Sequence, residues 1–263
     1  MEIKTIVTIL FLSMLGLSLG ANASTISSDE PWVDATEGIT GGSTAITWFP
    51  ANQNNSSSST LDHAQTIIEV YTATWCETCI PAEEALNASI TDHAVKVVKY
   101  HRHLFETEDP FGNNNTEGRW LSRYGPSAVQ ADFNARTPPT VIFGGERMHI
   151  GSHPTAGVSL EEEYSISLNS IMRPPISNSS EFTFTWEDGT FEWSWNWEED
   201  ITACRSNCDT VSTELYMMIV EDTAFFPEGS NGEEYYHRIL RDVIPLGNNS
   251  IEYILPQACL LYT

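Results

Sequence analysis

Ile67-Ile68-Glu69-Val70-Tyr71-Thr72-Ala73-Thr74-Trp75-Cys76-Glu77-Thr78-Cys79 runs from an apolar segment into two closely spaced cysteines. Its β-branched and aromatic residues favour a strand. Pro81 to Ser89 behind it is rich in helix formers, so the cysteines fall where a strand hands over to a helix. That spacing suits thiol–disulfide exchange: one thiol attacks a foreign sulfur while the other is close enough to attack the mixed disulfide. Unpaired N–H groups and the positive end of the helix dipole stabilise a thiolate, bringing a cysteine pKa from about 8.5 to roughly 3.5–7.5. A CxxC equally describes half a zinc site or a short structural bridge. The other close pair, Cys204 and Cys208, lies far along the chain, while Trp75 and the preceding strand favour redox use.

A second segment, Thr137-Pro138-Pro139-Thr140-Val141-Ile142-Phe143-Gly144-Gly145, opens an apolar strand with proline and ends it with glycine. Trp75-Cys76-x-x-Cys79 followed by Pro139-Thr140-Val141-Ile142-Phe143 resembles the thioredoxin superfamily over residues 67 to 145. The resemblance implies an α/β domain with a central mixed sheet flanked by helices. It also implies that Cys76 is the attacking thiol, Cys79 the resolving thiol, and Pro139 a cis-proline, with Trp75, Pro138 and Thr140 beside it on the substrate side. Three features depart from the pattern. Pro139 stands 63 residues after Cys76, which predicts an insertion over 104–126. Val70 occupies the place of a buried acid, and Glu69 alternates to the other strand face. Pro138 lacks the N–H that family members offer to a bound substrate backbone.

Val97-Val98-Lys99-Tyr100-His101-Arg102-His103, Asp109-Pro110-Phe111-Gly112-Asn113, Arg119 to Tyr124, Ile219-Val220-Glu221-Asp222 and Tyr236-His237-Arg238-Ile239-Leu240-Arg241-Asp242 carry a second likeness. They look similar to two-domain bacterial surface lipoproteins that join a thioredoxin-like module to a C-terminal β domain. The lipid-attachment cysteine of such proteins is absent here.

Lys4, the apolar run Ile6 to Leu19 and Ala21-Asn22-Ala23 read as a secretory signal peptide over 1–23. Retention of this segment would instead leave an N-terminal membrane anchor. The expected location is secreted, periplasmic or cell-surface, where disulfides persist. Twelve Lys and Arg stand against 36 Asp and Glu, a formal charge of −24. That balance argues against nucleic acid or an anionic membrane surface as partner. Cys204 and Cys208 would close a small structural ring, leaving Cys259 without an assigned mate.

The expected organisation is a polar leader or linker over 24–60, the thioredoxin-like domain over 61–172, a linker over 173–180 and an all-β, sandwich-like domain over 181–263. In the first domain, strands are expected at 66–72, 94–101 and 139–144, and helices at 79–90 and near 117–132 and 159–172. The second opens with a hairpin in which Phe182, Phe184 and Trp186, then Phe191, Trp193, Trp195 and Trp197, share one face. Strand patterning favours the inner face of a sandwich over a ligand-binding aromatic platform. His101 and His103 share a strand face and could join the cysteines around copper or zinc, whereas strand-end histidines more commonly pack or hydrogen-bond.

Taken together, these readings point to thiol:disulfide exchange with extracytoplasmic protein thiols or disulfides, without a soluble cofactor or resident metal and with a redox partner protein to restore the pair. A metallochaperone and a non-enzymatic adhesion module are the alternatives.

Overall fold

The computed structural model describes residues 6–15, 32–35, 43–48, 55–60, 65–104, 109–171, 177, 179–187, 190–196, 198, 212–246 and 250–252. Its organising strand is β5 (Gln65–Thr72), whose last six residues are buried. One edge of β5 pairs in parallel with β6 (Val95–His101). The other edge is shared: β3 (Ser43–Trp48) pairs at Thr66, and β7 (Thr140–Phe143) pairs from Ile68 to Tyr71. Beyond β7 lie β8 (Arg147–Ile150) and the short β2 (Val33–Asp34).

On the other branch β3 pairs with β1 (Ile6–Leu15), β1 with β11 (Ser212–Phe225), and β11 with β12 (Tyr235–Pro245). β12 then meets β6 through Ile239 and Lys99, closing a ring within a nine-stranded mixed sheet. Of the apolar run read as the core of a signal peptide, Ile6–Leu15 forms β1, and the rest lies outside the described residues.

Alternation along β5 assigns its two faces. Ile68 and Val70 pack with Leu86 of α1 (Cys79–Ser89) and with Tyr164 and Leu168 of α3 (Leu160–Ser170). Ile67 and Tyr71 pack on the opposite side with Trp120 and Tyr124 of α2 (Asn114–Gln130), which in turn touch a cluster containing Met218 and Leu240. α2 therefore covers the face of β5 opposite α1 and α3, with its outer side, including Val129, exposed. It begins earlier than its apolar pattern suggests because the Asn113 side chain accepts from the N–H groups of Asn115 and Thr116, and Thr116 answers the Asn113 N–H.

A second sheet of four strands runs in the order β13 (Ser250–Glu252), β10 (Thr190–Asn196), β9 (Glu181–Glu187), β4 (Asn55–Thr60). Phe182, Phe184, Phe191 and Trp193 bury their side chains against Met217 and Ile219 of β11 and Ile244 of β12. The aromatic face is therefore the inner face of a two-layer packing. The outer layer's partner is not a separate sheet, however, because β11 and β12 also belong to the sheet built on β5. β4 falls in the polar tract read as leader or linker; its Ser and Thr residues lack the apolar alternation that announces a strand. Cys204, Cys208, Cys259 and Trp197 lie outside the described residues.

Glu69 is fully buried on the α2 face of β5. It accepts from the hydroxyls of Tyr100 (2.6 Å) and Tyr124 and pairs with Arg119 at 3.2 Å. Burial holds both phenols far above their ordinary pKa, so they remain donors. Removing the cation alone strands a buried carboxylate. Arg119→Met is expected to cost about 3–5 kcal/mol, read as a lower denaturant midpoint. Adding Glu69→Gln to it should recover part of the loss.

Candidate functional site

Cys76 and Cys79 form a disulfide at the junction of β5 and α1, with an S–S distance of 2.04 Å and a Cα–Cα distance of 5.3 Å. The Cys76 N–H donates to the Ala73 carbonyl at 3.1 Å, turning the chain, and Cys79 is the first residue of the helix. Pro81 fits because its missing N–H falls in the first turn, where no intrahelical partner exists. Thr78 at the N-cap makes no side-chain capping bond, and no acid occupies the first turn. The positive end of α1 therefore faces the sulfur pair without a competing carboxylate of its own first turn. The Thr78 hydroxyl lies 3.5 Å from Cys76 Sγ.

The peptide bond between Pro138 and Pro139 is cis. Pro138 lines an open depression of about 440 Å³ together with Trp75, Cys76, Thr78, Arg102 and Arg136. The guanidinium of Arg102 stands 5.4 Å over the Trp75 ring. Cys79 is fully buried and takes no part in that wall. Of the residues expected on the substrate side, Trp75 and Pro138 meet Cys76 there. Pro139 instead accepts from the Gly151 N–H at 2.8 Å, and Thr140 is buried at the start of β7 with its hydroxyl donating to the Thr137 carbonyl at 2.7 Å.

Carboxylates brace the approach to the cysteines. Asp109 Oδ2 accepts from the Thr74 N–H at 2.7 Å and lies 2.9 Å from His101 Nδ1, while Oδ1 accepts from the Phe111 N–H at 3.0 Å. Burial alone would raise the Asp109 pKa. The neighbouring His101 and the two backbone N–H groups outweigh it and hold the carboxyl below its ordinary value. Glu83, one helical turn after Cys79, accepts from the Thr72 hydroxyl at 3.0 Å and pairs with Lys99. Val70, in the place of the expected acid, packs in the apolar cluster beneath α1.

The imidazole of His101 is engaged by Asp109, and the His103 N–H donates to Glu117 at 2.7 Å. Among the described residues no three His, Cys, Asp or Glu side chains gather as a metal site. Glu83 was not singled out in the sequence, and Asp109 stood there only within the segment Asp109-Pro110-Phe111-Gly112-Asn113 with no role assigned, because the partner of each lies far away along the chain. The available hint was a charged residue inside or beside a strand otherwise destined for burial, which requires a partner.

No family model matches the chain. No curated protein matches it either. Among solved structures, protein AGR_C_4864 from Agrobacterium tumefaciens is similar at 12% identity, covering 70% of this chain and 94% of that one with a TM-score of 0.32. A likeness of that size carries no argument about activity.

Because folding depresses the Asp109 pKa, its contribution to stability is present above the unfolded value of about 3.9 and is lost as pH falls through the lower folded value. Asp109→Asn should therefore cost about 1.5–3 kcal/mol near neutral pH, and the difference from wild type should shrink below about pH 4. Urea unfolding across that range measures it. Amide exchange at Thr74 should accelerate in the variant.

Proposed function

We propose that this chain is a thiol:disulfide oxidoreductase of thioredoxin-like architecture, exchanging disulfides with proteins outside the cytoplasm. One observation above all supports the reading: two sulfurs are joined at the start of α1, and only Cys76 reaches the wall of the open depression beside the cis Pro138–Pro139 bond. The finer architecture is β5, β6, β7 and β8 as the thioredoxin-like sheet, with α1 and α3 on one face and α2 on the other. The surrounding β-rich half would belong to the same protein module rather than to a detached tether.

In the oxidising direction a substrate thiolate attacks Cys76 Sγ. The bond between the two cysteine sulfurs breaks, and Cys79 leaves with its electron pair as a thiolate. A second substrate thiolate then attacks the substrate sulfur of the mixed disulfide and expels Cys76 as a thiolate. The two substrate thiolates lose two electrons and the cysteine pair gains them, with protons exchanged only through solvent as each thiolate equilibrates with its thiol. The reverse sequence reduces a substrate disulfide, with Cys76 attacking and Cys79 resolving. The N-terminal N–H groups of α1 favour the Cys76 thiolate in both directions, and Glu77 opposes it slightly. A redox partner protein resets the pair.

The extracytoplasmic part of the proposal rests on the pattern of residues 1–23, whose cleavage would remove β1 and leave β3 and β11 without the strand that joins them. The N-terminal sequence of the chain recovered from its host tests it. Cleavage after Ala23 supports export, whereas retention of Ile6–Leu15 in a cytoplasmic protein refutes it.

The chemistry has its own test. Cys76→Ser should abolish exchange, and Cys79→Ser should accumulate a mixed disulfide on Cys76. Equilibration with thiol buffers should place the wild-type pair between about −120 and −270 mV. A bridge more resistant than about −300 mV would overturn the oxidoreductase in favour of a structural disulfide in a binding module.

A further inference from the structure

The turn that carries Cys76 is held from a part of the chain far away in sequence. The Thr74 carbonyl accepts from the backbone N–H of Asn231 at 3.1 Å and lies 3.3 Å from the Tyr236 hydroxyl. Both belong to the tip of the hairpin formed by β11 and β12. The single phenolic proton of Tyr236 is shared among the Thr74 carbonyl, Asn231 Oδ1 at 2.8 Å and the Glu233 carbonyl at 3.2 Å. Tyr236 is buried, with its ring packed on Phe111 and His101. Gly229 completes the contact: a Cβ there would press on the Tyr236 hydroxyl and come within 3.1 Å of the Thr74 carbonyl.

We infer that the hairpin tip, through Tyr236 and the backbone of Asn231, is a positioning element of the redox turn, so that the C-terminal half of the chain completes the exchange site. This rests on the oxidoreductase reading and extends it to residues outside the strand–helix junction. Thr74 is fixed at both ends, its N–H by Asp109 and its carbonyl by the hairpin. The peptide plane leading into Trp75 and Cys76 therefore has one orientation.

In the oxidised protein the disulfide closes the turn by itself. Once it is reduced, that covalent restraint is gone, and the bonds to Thr74 help keep Cys76 over the start of α1, where helix N–H groups stabilise its thiolate. The hairpin contact therefore favours the reduced form over the disulfide, raising the potential of the pair and lowering the pKa of Cys76.

Tyr236→Phe removes one oxygen and no carbon packing, and Gly229→Ala pushes the tip away from Thr74. The constant for reduction of the Cys76–Cys79 bridge is measured for each by equilibration with glutathione or dithiothreitol buffers and mass labelling of free thiols. The thiolate pKa of Cys76 is read from the pH dependence of alkylation. Tyr236→Phe should shift the constant threefold to tenfold towards the disulfide, about 14–30 mV more negative at 29.6 mV per tenfold change, and should raise the Cys76 pKa. Gly229→Ala should act in the same direction and more strongly. Tyr235→Phe, at the exposed neighbouring residue whose ring lies tilted against Phe225, should leave both readouts unchanged.

A Tyr236→Phe protein that unfolds earlier but keeps its constant within twofold and its Cys76 pKa unchanged would overturn the inference, leaving only a structural contact. The buffers return a constant even when the wild-type bridge lies outside the exchange-active range, so the oxidoreductase reading and the positioning role stand or fall on separate results.

Discussion

A strand that is buried on both faces yet carries polar side chains imposes a constraint that the rest of this structure answers: every such group on β5 needs its partner supplied from outside. Glu69 is met by Tyr100, Tyr124 and Arg119; the Tyr71 hydroxyl donates to Glu117 of α2 at 2.7 Å; Thr72 donates to Glu83 of α1; and Thr74 beyond the strand donates to Asp109. Three of those partners are carboxylates from three different elements. Part of the chain's large acidic excess is thus spent fixing the strand that delivers the cysteines. Because an unpaired buried charge is so costly, these bonds dictate how α1, α2 and the 109–113 segment approach β5.

The extent to which the sequence announced this follows the range of each interaction. The strand at 66–72, the helix after Cys79, the strand at 94–101 and the aromatic hairpin are local patterns, and each falls within a residue or two of the observed element. The strand-to-helix turn at Cys76 was readable for the same reason, since the turn and helix are contiguous. The sharing of one β5 edge by β3 and β7 is a decision among distant strands that no window of sequence records. β4 shows the same limit from the other side: a serine-rich edge becomes a strand only because β9 offers it a full ladder, from Asn55 opposite Trp186 to Thr60 opposite Glu181.

The second half of the chain illustrates how a correct local reading can coexist with a different global one. Phe182, Phe184, Phe191 and Trp193 do face a second layer, as an alternating aromatic hairpin should. Yet β11 serves two cores at once. Met217 and Ile219 pack in the aromatic layer, while Met218 and Val220 pack in the cluster that holds Trp120 and Tyr124 of α2. A strand apolar on both faces belongs between two layers, and the run Met217-Met218-Ile219-Val220 carried that information without saying which layers they would be. The consequence for the turn that carries Cys76 is direct, because the same strand continues into the hairpin whose tip meets Thr74.

The chemistry of that tip determines what kind of influence it can exert. Burial, reinforced by the carboxylates of Asp109, Glu233 and Glu83, pushes the Tyr236 hydroxyl up to about 12. It is therefore a neutral proton donor around neutral pH, and its contact with the Thr74 carbonyl does not switch as surrounding groups titrate. The polarity of the contact also has a fixed sense: donors from the hairpin meet a carbonyl, and an acceptor from Asp109 meets the N–H of the same residue. A residue gripped in this way resists rotation of the peptide planes on both sides. Whatever passes between the C-terminal half and the sulfurs must travel as geometry, through the placement of Trp75 and Cys76, and not as a change of charge at the hairpin phenol.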